Sequence, residues 1–158
     1  MNVKVSDIMN TKPISIKPYV NVKEAAKIMR EKDVGSLIIE NNNFLLGILT
    51  EQGIVHKIVS RGKNPEEILV EDIMKSKIVT INPNDNIDYA MSLMLTRNIR
   101  QLPVVDEDNK LVGIITRNDI VKVQPAILNI LHERKNIDDS YDITLKEKLK
   151  EINDYDLE

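Results

Sequence analysis

The chain repeats itself, and this duplication restricts the possible folds more than any other feature of its sequence. Val5-Ser-Asp-Ile-Met9 returns as Val70-Glu-Asp-Ile-Met74, and Ile14-Ser-Ile-Lys-Pro18 as Val79-Thr-Ile-Asn-Pro83, both at an offset of 65. Residues 5–39 and 70–104 share 11 identities in 35 positions without a gap. One extra residue then enters the second copy. Leu45-Leu-Gly-Ile-Leu-Thr50 therefore matches Leu111-Val-Gly-Ile-Ile-Thr116 at an offset of 66, and six of 11 positions agree between 45–55 and 111–121. A unit of roughly 60 residues buries little surface alone. The two copies are thus expected to pack together about a pseudo-twofold axis.

Each copy reads as the same series of elements. A short helical turn at Val5–Met9 precedes an extended stretch at Ile14–Ile16, closed by Pro18. Asn21 has the chemistry of a helix N-cap, and Val22, Ala25, Ala26, Ile28 and Met29 form one apolar face, with Gly35 ending the helix. Leu37–Ile39 and Leu45–Leu49 alternate as paired strands around Asn41-Asn-Asn43, whose asparagines tolerate positive φ. Thr50 opens a second helix, with Ile54, Val55 and Ile58 facing inward. In the second copy the same logic gives a strand at 78–81, a helix at 86–97, strands at 102–105 and 111–115 about a turn at 106–109, and a helix at 117–122.

The expected organisation is a first repeat at 5–60, a linker at 61–69 containing Gly62 and Pro65, a second repeat at 70–123, and a C-terminal helical extension at 124–158. Within the extension, Ala126–Arg134 and Thr144–Ile152 carry helical patterns. The fold class is α/β (α+β), built from two βαββα units.

Composition narrows the function. Hydrophobic residues make up 42% of the chain and charged residues 30%, a balance that suits a folded domain. Net charge is −3, but residues 137–158 carry −5 of it, which leaves about +2 on the body of the molecule. A small anion is compatible with that body, whereas nucleic acid, which needs a basic footprint, is a poor default partner. There is no Cys, so disulfides and thiolate metal sites are excluded. Met1–Met9 does not resemble a signal peptide and no apolar run reaches membrane-span length, so the expected location is cytoplasmic, with no membrane partner.

With these residues in view, the sequence resembles a tandem pair of CBS domains, also called a Bateman module. The resemblance rests on the two openings and on the paired strands Gly35-Ser-Leu-Ile-Ile39…Gly47-Ile-Leu-Thr50 and Arg100-Gln-Leu-Pro-Val-Val105…Gly113-Ile-Ile-Thr-Arg-Asn-Asp119, and it spans residues 5–122. It implies a regulatory, energy-sensing type of module that binds AMP, ADP, ATP, S-adenosylmethionine or a similar molecule in a cleft between the repeats, with no cofactor required. It also implies a homodimer.

The family's ligand signature, Thr or Ser followed three residues later by Asp, is intact as Thr116-Arg-Asn-Asp119. A carboxylate suits a ribose, because it can accept a hydrogen bond from each of two vicinal hydroxyls. The same spacing is also a helix capping box, with Thr116 as N-cap. Both readings stand at this level, and one residue can serve both. The first copy reads Thr50-Glu-Gln-Gly53, with Gly where the carboxylate belongs, and Glu51 lies too early in the helix to replace it. The resemblance therefore implies an asymmetric pair. The main site would use Thr116 and Asp119 for the ribose, Lys77, Ile78, Val79, Thr80 and Pro103 around the base, and Arg100, Gln101, Arg117 and Lys75 near the phosphates. A second, weaker site would use Ile14, Ser15, Ser36 and Thr50. For Ile78 and Val79 ordinary strand core is the competing reading, and for the cations a solvated surface position.

No phosphate-binding Gly-rich loop or nucleophile elbow is present. His56 and His132 lack a neighbouring ligand set, and Asp138-Asp139 lies in the polar tail, so neither catalysis nor a metal site is expected. A stand-alone module must pass its response to another protein, and the acidic Thr144–Leu157 segment is a candidate surface for that partner or for the dimer. The competing readings are an interaction protein with vestigial pockets and a nucleic-acid-associated regulator.

Overall fold

A computed structural model describes residues 3–123; the expected helices at Ala126–Arg134 and Thr144–Ile152 lie outside the described residues. The described elements are α1 (Val5–Ile8), β1 (Ser15–Ile16), α2 (Val22–Lys32), β2 (Ser36–Asn41), β3 (Phe44–Thr50), α3 (Glu51–Lys57), a 3-10 turn at Val59–Arg61, α4 (Val70–Ile73), α5 (Ile87–Thr96), β4 (Gln101–Val105), β5 (Leu111–Thr116) and α6 (Arg117–Val123). They fall into two compact units. Among the described residues, one takes 3–9, 84–102 and 115–123, and the other takes Asn10–Pro83 and Pro103–Ile114.

These units are not the two sequence repeats, because the repeats exchange their openings. Val5 N donates to Asp85 O (2.8 Å) and Ile87 N to Val3 O (3.0 Å), while Val70 N donates to Val20 O (2.8 Å) and Val22 N to Ile68 O (2.9 Å). Every position of the first set has its counterpart in the second at an offset of 65. The exchange continues in reciprocal bonds between Asn10 and Ile114 and between Lys75 and Ile48, at 2.9–3.0 Å.

In the larger unit, β1 runs parallel to β2 (Ser15 beside Ile38, Ile16 beside Ile39) and β2 antiparallel to β3, with an irregularity between Ile39 and Glu40. Asn42 and Asn43 adopt positive φ of 51° and 66°, as the asparagine turn requires. The core joins Ile16, Val22, Ala25, Met29, Leu37, Ile39, Leu49, Ile58, Val70 and Ile73. In the other unit Val5, Ile87, Ala90, Met91, Met94, Leu95, Leu102, Ile115 and Ile120 are buried. Such aliphatic burial, at about 25 cal/mol per Å² of apolar surface, is the main favourable term in the fold.

Four local expectations are corrected. The strand expected at 78–81 is reduced to a single parallel bridge, Ile81 beside Val104. That bridge is made by Ile81 N to Pro103 O (3.1 Å) and Val105 N to Ile81 O (3.0 Å). In the first repeat the preceding rung is Ile38 N to Ile14 O at 3.2 Å. The matching donor in the second repeat is Pro103, which has no N–H, so the ladder cannot extend. Helix α2 ends on Asp33, left-handed at φ 53°, rather than on Gly35, since a short polar side chain also tolerates that region. Ala26 is exposed, on the outer side of α2. Val55 is 50% exposed rather than inward, whereas Ile58 is buried and Ile54 packs at the edge of the core. The Asn21 cap forms as expected, its side chain accepting from Glu24 N at 2.9 Å.

Candidate functional site

The most informative constellation sits where β5 ends and α6 begins. Thr116 closes the strand, and the next residues turn into a helix whose first backbone N–H groups need acceptors. Thr116 Oγ1 accepts from Asp119 N at 3.3 Å, and Asp119 Oδ2 reaches back to accept from Thr116 N at 2.9 Å. A third bond joins the side chains directly, with Thr116 Oγ1 donating to Asp119 Oδ2 at 2.7 Å. The capping box is therefore formed. It occupies one carboxylate oxygen of the half-buried Asp119, and among the described residues Oδ1 accepts no hydrogen bond.

The start of α6 is held from two more directions. Arg117 N donates to Arg100 O at 3.1 Å, tying the helix to the residue that precedes β4. The Arg117 guanidinium extends the other way, Nη2 donating to Met94 O at 3.1 Å on α5. Arg117, expected beside a phosphate, thus also braces α5, while Arg100 is exposed. Gln101 is half-buried at the start of β4.

The remaining residues expected for the main site belong to the other unit. Lys75 and Lys77 are exposed, and Ile78, Val79 and Thr80 are half-buried in extended chain. Pro103 is buried, and its carbonyl is engaged by Ile81 N.

The first repeat offers the equivalent arrangement with different chemistry. Thr50 Oγ1 accepts from Gly53 N at 3.0 Å, the same cap with no carboxylate to return it. Ser36 lies directly across from Thr50 in the β2–β3 register, Ser15 beside Ile38, and the Ile14 carbonyl is taken by Ile38 N. Glu51 N donates to Gly35 O at 3.1 Å, matching the Arg117–Arg100 bond. The Glu51 side chain lies over Gly35, its Oε2 3.3 Å from where any side chain at 35 would begin. Sequence reasoning placed Glu51 away from the site and overlooked this pairing. The signal was available in the duplication, because Gly35 and Glu51 occupy the positions of Arg100 and Arg117. A cationic pair in one repeat is replaced by an acid and a glycine in the other.

Among the described residues no group of three or more His, Asp or Glu side chains is placed to hold a metal ion, and no helix is long and apolar enough to cross a membrane. His132 and Asp138-Asp139 lie outside the described residues.

The family model for the CBS domain matches twice, at residues 5–60 and 70–126. A CBS domain-containing protein of Bacillus subtilis is 32% identical over 136 residues, covering 82% of this chain and 96% of the relative. A conserved protein from Pyrococcus horikoshii, known by crystal structure, superposes with a TM-score of 0.70 at 30% identity, covering 78% of this chain and 92% of that one. A CBS domain pair crystallised in complex with 5′-methylthioadenosine and S-adenosyl-L-methionine superposes with a TM-score of 0.71 at 28% identity, covering 80% of this chain and 98% of that one. With the openings, the paired strands and the capped second helix all present twice in an α+β fold, this chain belongs to the CBS domain family, as a tandem pair of repeats.

Proposed function

We propose that the pair is a non-catalytic regulatory module that binds an adenine nucleotide or related adenosyl ligand through its second repeat and passes the bound state to a partner protein. One observation carries the reading: the cap fixes Asp119 in place through Oδ2 and leaves Oδ1 as an acceptor beside the start of α6. A carboxylate held by two donors on one oxygen is preorganised to receive ribose hydroxyls on the other. Arg100, exposed and bonded through its carbonyl to the same helix start, supplies a cation for phosphate. The adenosyl compounds bound by the related CBS pair support this ligand class. Binding that favours one arrangement of the chain changes how a partner docks, and a homodimer in the cytoplasm is the proposed working form.

Isothermal calorimetry with AMP, ADP, ATP and S-adenosylmethionine tests the reading. Binding by the wild type and a loss of about 1–3 kcal/mol in Asp119→Ala are expected as hydrogen bonds to a charged group disappear. Silence across the panel at millimolar ligand refutes it. The second reading, an interaction protein with vestigial pockets, is favoured by one observation: Gly53 stands where the first repeat would need its carboxylate.

A further inference from the structure

Resting on the reading of Asp119 as the ribose ligand, we propose that Thr116 is a positioning residue whose hydroxyl spends its one hydrogen on aiming that carboxylate. An ionised carboxylate can only accept, so the 2.7 Å contact between Thr116 Oγ1 and Asp119 Oδ2 carries the single hydrogen of the threonine hydroxyl. The same Oγ1 accepts from Asp119 N at 3.3 Å. The hydroxyl therefore has no hydrogen left to donate to a phosphate or a ribose oxygen. Thr116 N adds a second donor to Oδ2 at 2.9 Å, which fills the two lone pairs of that oxygen and sets the plane of the carboxylate. Of the two carboxylate oxygens, Oδ1 alone is then left with lone pairs to accept from a ligand.

The first repeat shows that the side-chain to side-chain bond is not needed to start the helix. There Thr50 caps α3 through Gly53 N at 3.0 Å with no carboxylate present, and the helix still forms. The additional bond in the second repeat acts on Asp119. The backbone around it is held independently by Arg117 N to Arg100 O and by Arg117 Nη2 to Met94 O, both at 3.1 Å. The aim of the carboxylate is thus the variable that Thr116 controls.

The test is calorimetry of the full chain with AMP and with its 2′-deoxy analogue, using wild type, Thr116→Ser, Thr116→Val, Asp119→Asn and the Thr116→Val/Asp119→Asn double variant. Wild type should prefer the ribonucleotide. Thr116→Val should weaken AMP about tenfold and shrink the preference for ribose over deoxyribose. Thr116→Ser should keep both, and the double variant should bind no worse than Asp119→Asn. If Thr116→Val is unfolded at the assay temperature, Thr116→Ala carries the same comparison. Equal weakening of both nucleotides, with the preference intact, overturns the proposal in favour of a simple cap. A further loss on adding Thr116→Val to Asp119→Asn overturns it in favour of direct contact. A wild type that binds neither nucleotide and none of the other adenosyl ligands of the panel refutes the parent reading and this one with it. A wild type that binds while its preference ignores Thr116 refutes this one alone.

Discussion

The two repeats are built to one plan, and two of their differences, at the first strand and at the second helix, are instructive. At the first strand, repeat one makes two parallel pairs, Ser15 with Ile38 and Ile16 with Ile39, where repeat two makes a single bridge, Ile81 with Val104. The cause is one missing N–H, at Pro103. At the second helix, repeat two returns the cap with Asp119 and repeat one has Gly53. The fold tolerates both changes because its strength lies elsewhere, in the aliphatic residues that the offset of 65 preserves. Leu37 and Leu102, one offset apart, are both fully buried. The lesson is that the core is held in common while the chemistry diverges at the caps and strand ends.

That comparison can be broken most forcefully at the shared core. Leu37→Ala and Leu102→Ala should each cost about 2–5 kcal/mol in urea unfolding, since each leaves a cavity among packed neighbours. Equal losses mean that the repeats contribute alike, and a large inequality means that one dominates. Gly47 is the next lever. A side chain there would begin 2.9 Å from Lys75 O and overlap the Met74 thioether, so Gly47→Ala should destabilise by about 1–3 kcal/mol in the same assay.

A smaller change sharpens the contrast at the caps. Gly53 lies in α3 without a positive φ, and a side chain there meets only Thr50 Oγ1 at 3.3 Å. Gly53→Asp should therefore raise stability by about 0.5–1 kcal/mol, through the lost glycine entropy and a restored capping box. A fall in melting temperature would show that the first repeat excludes a carboxylate at that position.

The smallest effect concerns acid. Lys17 Nζ lies 2.7 Å from Glu40 Oε1 and holds the Glu40 carboxyl below the usual carboxylate range; burial opposes this shift, and a bond from Asn43 N assists it. A depressed folded-state value gives stability that is present above the unfolded value and lost as pH falls through the folded one. The second repeat has Asn82 and Val105 at these positions and lacks the pair. Glu40→Gln should flatten the acid-side loss of stability by about 1 kcal/mol or less, because Lys17 remains partly exposed and screened. An unchanged pH profile would remove the pair from the account.

Much of this architecture was legible in the sequence, because duplication fixes element order and alternation fixes faces. Asn21 announced a cap, and Asn41-Asn-Asn43 announced a tight turn. The failures share a physical origin in tertiary context. The strand at 78–81 reads correctly by its own residues but fails on a proline 22 positions or more downstream. The left-handed helix end fell to Asp33 although Gly35 was near, and Val55 faces outward although it is apolar. At the site, the Thr-x-x-Asp spacing could be read two ways, as cap or as ribose ligand. Spacing does not reveal which carboxylate oxygen the cap consumes. Nor does it show the Arg117 side chain crossing to the Met94 carbonyl, a contact spanning 23 residues.

The central claim is that the Asp119 carboxylate receives a ribose that the first repeat has no means to hold. The most direct test is a crystal structure of the full chain grown with AMP. The account predicts a ribose hydroxyl about 2.5–3.0 Å from Asp119 Oδ1, with Oδ2 still bonded to Thr116. A nucleotide seated with its sugar turned away from Asp119, or held only by the first repeat, would contradict it.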